Sequence, residues 1–268
     1  MDSVQCFVFN RLSRFVAHMM KPAIPSRILR QSAWRTFLLQ ASWNFERLQG
    51  LGALFILAPA LRYLYLGDVR KEAFKRHLGY FNTHPFLASS VLGTAIAMEE
   101  SASQGEVSEV SAVDFSSIMM APYAAMGDAF FWGGVRPLAV VVGLFFAARG
   151  SVWACLAVLL IFNLPHLYFR LGGFFRGYRE GVGMIETIQR WHLPDLAIRL
   201  KEATVILLGG LCATWLYFGL GREGSSPLWG LLALPVMGLC GWLARKGVST
   251  LMLVLTGGAV LLVLGSFL

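Results

Sequence analysis

Several stretches of this chain are apolar over the length that a bilayer demands. A spanning helix needs about 20 apolar residues. The clearest runs are 151–169 (SVWACLAVLLIFNLPHLYF), 203–220 (ATVILLGGLCATWLYFGL), 228–244 and 249–268, with a shorter candidate at 137–148 after Arg136. Across 268 residues, 56% are hydrophobic and 14% charged, with mean hydropathy +0.61. Soluble domains carry about 25% charged residues. The expected fold class is therefore all-α and polytopic. A secreted disulfide scaffold, a coiled coil and a disordered chain are excluded.

Other apolar stretches look different. Residues 85–98 (PFLASSVLGTAIAM) are too short to span, and 115–132 (FSSIMMAPYAAMGDAFFW) are interrupted by Pro122 and by Gly127-Asp128. Such segments suit re-entrant hairpins or broken helices, which survive at membrane depth only where protein or a watery cavity satisfies the backbone. Residues 50–66 fit either a short span or a buried hairpin. The expected organisation is a basic, amphipathic N-terminal arm over 1–49 and a membrane-embedded transport domain over 50–268.

The net charge of +8 reads as a topology signal rather than a nucleic-acid footprint, because Lys and Arg collect in cytoplasmic loops. Basic residues dominate 1–50 and 62–77. Residues 99–114 hold Glu99, Glu100, Glu106, Glu109 and Asp114 and no base. A cytoplasmic N-terminus with 170–202 and Arg245-Lys246 on the same side is self-consistent, and it puts Leu268 outside. Residues 1–30 lack an uninterrupted apolar core, so no cleavable signal peptide is expected. Trp34, Phe37, Leu38, Ala41, Phe45 and Leu48 fall on one face of a helical 34–49, which reads as a helix on the membrane or packed on a partner. Cys6, Cys155, Cys212 and Cys240 form no CxxC pair and read as buried apolar thiols.

Polar residues gather where the apolar runs stop. One cluster is Asn82-Thr83-His84-Pro85 before a short run that ends at Glu99-Glu100. The other is Gly127-Asp128-Ala129-Phe130-Phe131-Trp132 followed by Arg136-Pro137. Ionisable groups at membrane depth usually face a pathway or a partner. Amides and carboxylates bond sugar hydroxyls, and an indole covers a sugar's apolar face. The candidate substrate-binding residues are thus Asn82, His84, Glu99, Asp128 and Trp132. Each has a structural alternative: Asn82 as a cap or turn, the glutamates as solvated boundary charges, Asp128 paired with Arg136, and Trp132 as an interfacial aromatic. His84 with Glu99, Glu100 and Asp128 matches no helical metal-ligand spacing, so neither metal nor cofactor is expected. No Cys or His is poised as a phosphoryl carrier, and no catalytic residue is assigned.

These stretches resemble the enzyme IID subunit of the mannose/fructose/sorbose class of sugar phosphotransferase system. The resemblance begins at Gln40-Ala41-Ser42-Trp43-Asn44-Phe45-Glu46-Arg47-Leu48-Gln49, similar to the family's G-S-W-N-[FY]-E-R-M-Q run. It continues through Arg76-His77-Leu78-Gly79-Tyr80-Phe81-Asn82-Thr83-His84-Pro85, Ala97-Met98-Glu99-Glu100 and Gly127–Pro137. Phe162-Asn163-Leu164, Gly177–Gly181 and Trp242–Lys246 also fit.

The resemblance implies a non-phosphorylated membrane subunit in the bacterial inner membrane. Its partners would be an enzyme IIC membrane subunit and soluble IIA and IIB, which carry the phosphoryl group to a mannose-type sugar. It further implies three IIC–IID pairs with sugar where the subunits meet, and elevator-like transport. Asn44, Glu46, Arg47, Glu100 and Arg136 are expected in structural or partner roles.

Two departures stand out. Met120-Ala121-Pro122-Tyr123-Ala124-Ala125-Met126-Gly127-Asp128 replaces a family pattern with two more glycines and a leucine. Only Arg222–Pro227 connects two late helices, where the family carries a longer insertion. Two other functions stay open beside the first: an ion- or proton-coupled secondary transporter, and a transport-impaired regulatory or structural relative.

Overall fold

The computed structural model describes residues 23–106, 108–222, 224 and 226–266. Cys6 and the basic Arg11, Arg14 and Lys21 of the expected arm, and Leu268, lie outside the described residues. The chain divides into two compact units, residues 1–205 and 206–268.

The first unit is built around a helix of small residues. We label the helices α1 (Ser26–Arg35), α2 (Gly50–Leu64), α3 (Gly67–Arg76), α4 (Ala88–Ser103), α5 (Ala112–Gly127), α6 (Arg136–Ala147), α7 (Trp153–Leu167), α8 (Gly173–Glu180), α9 (Met184–Arg190) and α10 (Leu193–Arg222). Every residue of α4 from Ala88 to Ile96 is buried. Its sequence, ASSVLGTAI, offers little side-chain bulk, so neighbouring backbones come close. A Cβ at Gly93 would land on the Phe174 carbonyl oxygen, and one at Gly177 on the Ser90 carbonyl oxygen. Thr94 Oγ1 donates across the same contact to the carbonyls of Gly177 and Gly181, each at 3.2 Å. The α4–α8 pair is thus held by backbone proximity and by hydroxyls, as expected where lipid weakens the hydrophobic drive between helices.

At 16 residues α4 is about 24 Å long, short of the ~30 Å hydrocarbon core. It packs against α5 and α8, and its length falls short of a span, as expected of 85–98. The break expected at Pro122 and Gly127-Asp128 takes another form. Residues Ala112–Ala147 are one continuous helical span of 36 residues, and its middle, Asp128–Val135, is wound as a π-helix. The wider winding lets the helix change its facing direction without ending. A second π-helical segment, Tyr168–Gly172, joins α7 to α8.

Residues 34–49 do not form the expected amphipathic helix. α1 ends at Arg35, and a single tight turn follows over Thr36–Leu38. Asn44 then stops any helix, because its side-chain oxygen accepts from the backbone N–H of Glu46 (3.1 Å) and Arg47 (2.9 Å). Leu48 follows with φ of 48°, in the left-handed region. Ile24, Leu29, Ala33 and Leu39 share the hydrophobic core with α2 and α4. Residues 24–49 are therefore packed into this unit rather than set apart from it.

The second unit comprises the end of α10, α11 (Ala233–Arg245) and α12 (Thr250–Gly265). None of the described residues of α11 is buried, although the helix is strongly apolar. Three helical spans, Ala112–Ala147, Trp153–Arg222 and Leu228–Arg245, are long and apolar enough to cross a membrane. Cys155, Cys212 and Cys240 are exposed rather than buried. The physical reason is that lipid accepts apolar side chains that a soluble fold would turn inward.

The α4–α8 contact yields a direct expectation. Gly93→Ala and Gly177→Ala should each destabilise the purified protein, since overpacking costs about 1–3 kcal/mol against a helix-propensity gain of roughly 1 kcal/mol. Gly209→Ala, where an added Cβ meets nothing within 4 Å, should be neutral or stabilising. Thermal unfolding in detergent reads the difference.

Candidate functional site

The Asn-Thr-His-Pro loop is held in place by the Trp-Asn-Phe-Glu-Arg-Leu-Gln run. Gln49 Nε2 donates to the Thr83 carbonyl at 2.8 Å, and the Thr83 N–H returns a bond to Gln49 Oε1 at 3.1 Å. Both residues are buried, so this reciprocal amide pair acts without competition from water. Backbone bonds from Gln49 N–H to the Phe81 carbonyl (2.8 Å) and from Phe81 N–H to the Arg47 carbonyl (3.3 Å) extend the join. Arg47 adds a bond to the Leu78 carbonyl at 3.2 Å. Thr83 Oγ1 then donates to the Met120 carbonyl at 2.9 Å, fastening the loop to α5. Asn44 and Arg47 thus serve the loop's geometry, while Glu46 pairs with Arg47 on the surface at 3.2 Å.

The π-helix brings its aromatic face to this loop. Gly127 lies so close to His84 that a Cβ there would overlap the imidazole. The His84 ring stacks on Phe131 at 5.0 Å and 9° between planes, and Trp132 is tilted 5.2 Å away. Phe86 sits beside Trp132 at 5.6 Å and stacks on His166 at 3.9 Å. Arg170, from the second π-helical segment, lies over the rings of Phe37 (5.0 Å) and Phe86 (5.1 Å). Two π-helical segments therefore flank one cluster of aromatic, histidine and arginine side chains, and such segments are common at functional sites.

His84 is 2% exposed. Its Nδ1 accepts from the Phe86 N–H at 3.3 Å, which assigns the proton to Nε2. That Nε2 is buried with no partner among the described residues. Burial first, then the positive charge of Arg170 and the neighbouring His166, push His84 down to about 4, so its ring is neutral at ordinary pH.

The expected site residues fall in two places. His84 and Trp132 are in contact. Asn82 and Asp128 flank them on the same loop and π-helix, exposed, with no side-chain partner among the described residues. The expected Asp128–Arg136 pair does not form. No ion pair joins the two, and Arg136 lies over Trp132 instead, at 5.7 Å.

Glu99 is elsewhere, at the far end of α4. Its carboxylate receives His77 Nε2 at 2.8 Å, the Tyr65 hydroxyl at 2.8 Å and a two-pronged contact from Arg76. With its side chain 4% exposed, no acceptor is left facing outward for a sugar hydroxyl. Burial alone would raise the Glu99 carboxyl. The bonds from His77, Arg76 and Tyr65 outweigh it and hold the group at about 2. Glu100 accepts from the Ile24 N–H at 2.6 Å and the Tyr178 hydroxyl at 2.5 Å, joining the start of α1 and the end of α8 to α4. It is a structural tie rather than a solvated boundary charge.

Sequence reasoning missed Phe86, His166 and Arg170. Arg170 ends the apolar run 151–169 and counts naturally among cytoplasmic charges. Its burial is a tertiary fact, set by Phe37 from far upstream. No group of three or more His, Cys, Asp or Glu able to hold a metal occurs among the described residues.

Comparison with known proteins places these features in context. Residues 23–268 match the family described as the PTS system mannose/fructose/sorbose family IID component. The mannose-specific EIID component of Escherichia coli (strain K12) is 33% identical over 242 residues, covering 82% of this chain and 86% of that protein. The fructose permease IID component of Bacillus subtilis (strain 168) is 29% identical over 82% of this chain and 88% of its own. A solved structure of a membrane protein superposes with TM-score 0.70 at 31% identity, covering 91% of this chain and 97% of that one. The mannose transporter ManYZ in complex with microcin E492 (MceA) contains a chain with TM-score 0.56 at 30% identity, covering 92% and 97%.

The Glu99 cluster predicts an acid limb. Its folded value near 2 lies below the ordinary 4.5, so its stabilisation is complete above about pH 4.5 and is lost as pH falls toward 2. Unfolding followed from pH 7 to pH 3 should show that loss in the parent. Glu99→Gln should be less stable at pH 7, with a flatter profile below pH 4.5. A variant with the parent's slope would remove Glu99 from this role.

Proposed function

The chain belongs to the IID component family of mannose/fructose/sorbose phosphotransferase systems, and we propose that it forms a sugar path for a mannose-type hexose with a IIC partner subunit. Soluble IIA and IIB carry out phosphoryl transfer, and this chain contributes binding and movement. The complex resides in the bacterial inner membrane as three IIC–IID pairs. Its N-terminus lies on the cytoplasmic side, in keeping with the charge asymmetry of the sequence.

One observation carries the reading. Buried His84 lies against half-exposed Trp132, and Asn82 and Asp128 stand exposed on the same clamped loop and π-helix. In this reading the Asn82 amide and Asp128 carboxylate bond sugar hydroxyls, and Trp132 covers an apolar sugar face. Arg136 over the same indole holds its orientation. His84 supports Trp132 from beneath. Glu99 takes no part in sugar binding and serves the fold.

Phosphoenolpyruvate-dependent uptake, in a strain carrying the full set of partners, tests this. Asn82→Ala should weaken uptake roughly 5- to 150-fold, since losing one hydrogen-bond partner of the bound sugar costs about 1–3 kcal/mol, and Trp132→Ala should weaken it by uncovering the sugar's apolar face. Expression and partner association should be unchanged. Parental uptake by both variants would remove the edge from the sugar path. Uptake that persists without phosphoenolpyruvate and collapses with a protonophore would favour the secondary-transporter reading. An assembled complex without any uptake would make the chain a structural relative.

Side-specific cysteine labelling tests the orientation. On a background without native thiols, a cysteine in 170–202 should react from the cytoplasm, and one near the C-terminus only from outside. The reverse pattern would overturn the topology.

A further inference from the structure

Arg170 presents an unsolved electrostatic problem within this chain. It is 6% exposed, yet no described residue forms an ion pair with it or accepts a hydrogen bond from it. Its Nε is buried without a partner. The rings of Phe37 and Phe86 face the guanidinium, and ring faces attract a cation but supply no hydrogen-bond acceptor. The titratable neighbours, His84 and His166, bring no negative charge. The Nε2 atoms of both are also buried and unpartnered. Buried charges in folded proteins are paired, and ionisable groups at membrane depth face a partner or a pathway.

We propose that Arg170 is the receptor for one acidic side chain of the partner membrane subunit, which enters the box of Phe37 and Phe86 and pairs with a guanidinium that no described residue neutralises. The inference rests on the reading that the chain works with a IIC-type subunit. A carboxylate fits where a neutral sugar does not. It supplies the missing negative charge and accepts from the planar donor fork of the guanidinium in two-pronged fashion. The surroundings suit a protein partner. Trp34 stacks on Phe37 at 5.6 Å and is 66% exposed. An exposed tryptophan beside a desolvated arginine has the composition of an interface hot spot. Arg170 is therefore an assembly residue whose charge is neutralised only in the complex.

The test uses the co-expressed complex, with partner retention during affinity purification as its readout. Arg170→Gln should retain at least about tenfold less partner than the parent, as expected when one member of a buried pair is removed. Arg149→Gln, at an exposed arginine with no ion pair among the described residues, should retain it fully. Each Asp and Glu of the partner's membrane segments is then changed singly to its amide. One of these variants should reproduce the Arg170→Gln loss. Combined with Arg170→Gln it should recover most of the retention, because no charge is then left buried alone.

Arg170→Gln with full retention but impaired phosphoenolpyruvate-dependent uptake would overturn the proposal, giving Arg170 to the transported sugar and leaving the Asn82–Trp132 reading intact. A failure of Arg170→Gln to accumulate, with no partner acid behaving alike, would also overturn it, making Arg170 internal to this chain's fold. If Asn82→Ala and Trp132→Ala transport normally while the acid–Arg170 cycle holds, the sugar edge fails and this inference stands.

Discussion

Close backbone contact along α4 is the constraint from which the rest of the first unit follows. Small residues on the α8-facing side of α4, Ser90, Gly93 and Thr94, admit the backbone of α8 at Phe174 and Gly177 while the helix is buried on all sides. With that axis set, the ends of α4 become fixed points. Before its first turn stands the Asn-Thr-His-Pro loop. At its far end Glu99 draws in α3 through Arg76 and the end of α2 through Tyr65, and Glu100 draws in α1 and α8. One end is left with exposed polar groups, whereas the other is internally satisfied.

That asymmetry explains what was legible in the sequence. The apolar runs and the polar residues that interrupt them were visible, because hydropathy records what each residue needs from its surroundings. The joining of Gln49 to Thr83 was not, although both belong to motifs singled out beforehand. Spacing along a chain does not report which amide faces which carbonyl. Glu99 was misread for a related reason. A carboxylate at the end of an apolar run looks unsatisfied until Arg76 and His77 are folded back onto it from α3. The helix expected over 34–49 had the right periodicity, but regular winding stops at Arg35, and further on the Asn44 side chain bonds the backbone of Glu46 and Arg47 in a turn. The cysteines were misjudged because burial rules drawn from water-soluble proteins reverse in lipid.

The two π-helical segments give the site its shape. In an ordinary α-helix, Asp128, Trp132 and Arg136 would fall along one face at regular i+4 steps. The wider winding instead carries Phe131 into the core against His84 while leaving Trp132 partly exposed beside it. The segment at 168–172 does the reverse for a charged group, turning Arg170 inward between Phe37 and Phe86. Pro122 and Pro165 lie shortly before these segments, so each helix already lacks one regular backbone bond ahead of its wider winding.

The shortness of α4 has a consequence for any solute moving beside it. From Ala88 to Glu99 the helix rises about 16 Å, against ~30 Å for an unmodified lipid core. Ser89, Ser90 and Thr94 interrupt even that length with hydroxyls. The energy of stripping water from a polyhydroxylated molecule grows with the thickness of the dry layer it must cross. Beside a helix of this length with polar termini, the dry stretch such a molecule would cross is shorter than the full lipid core.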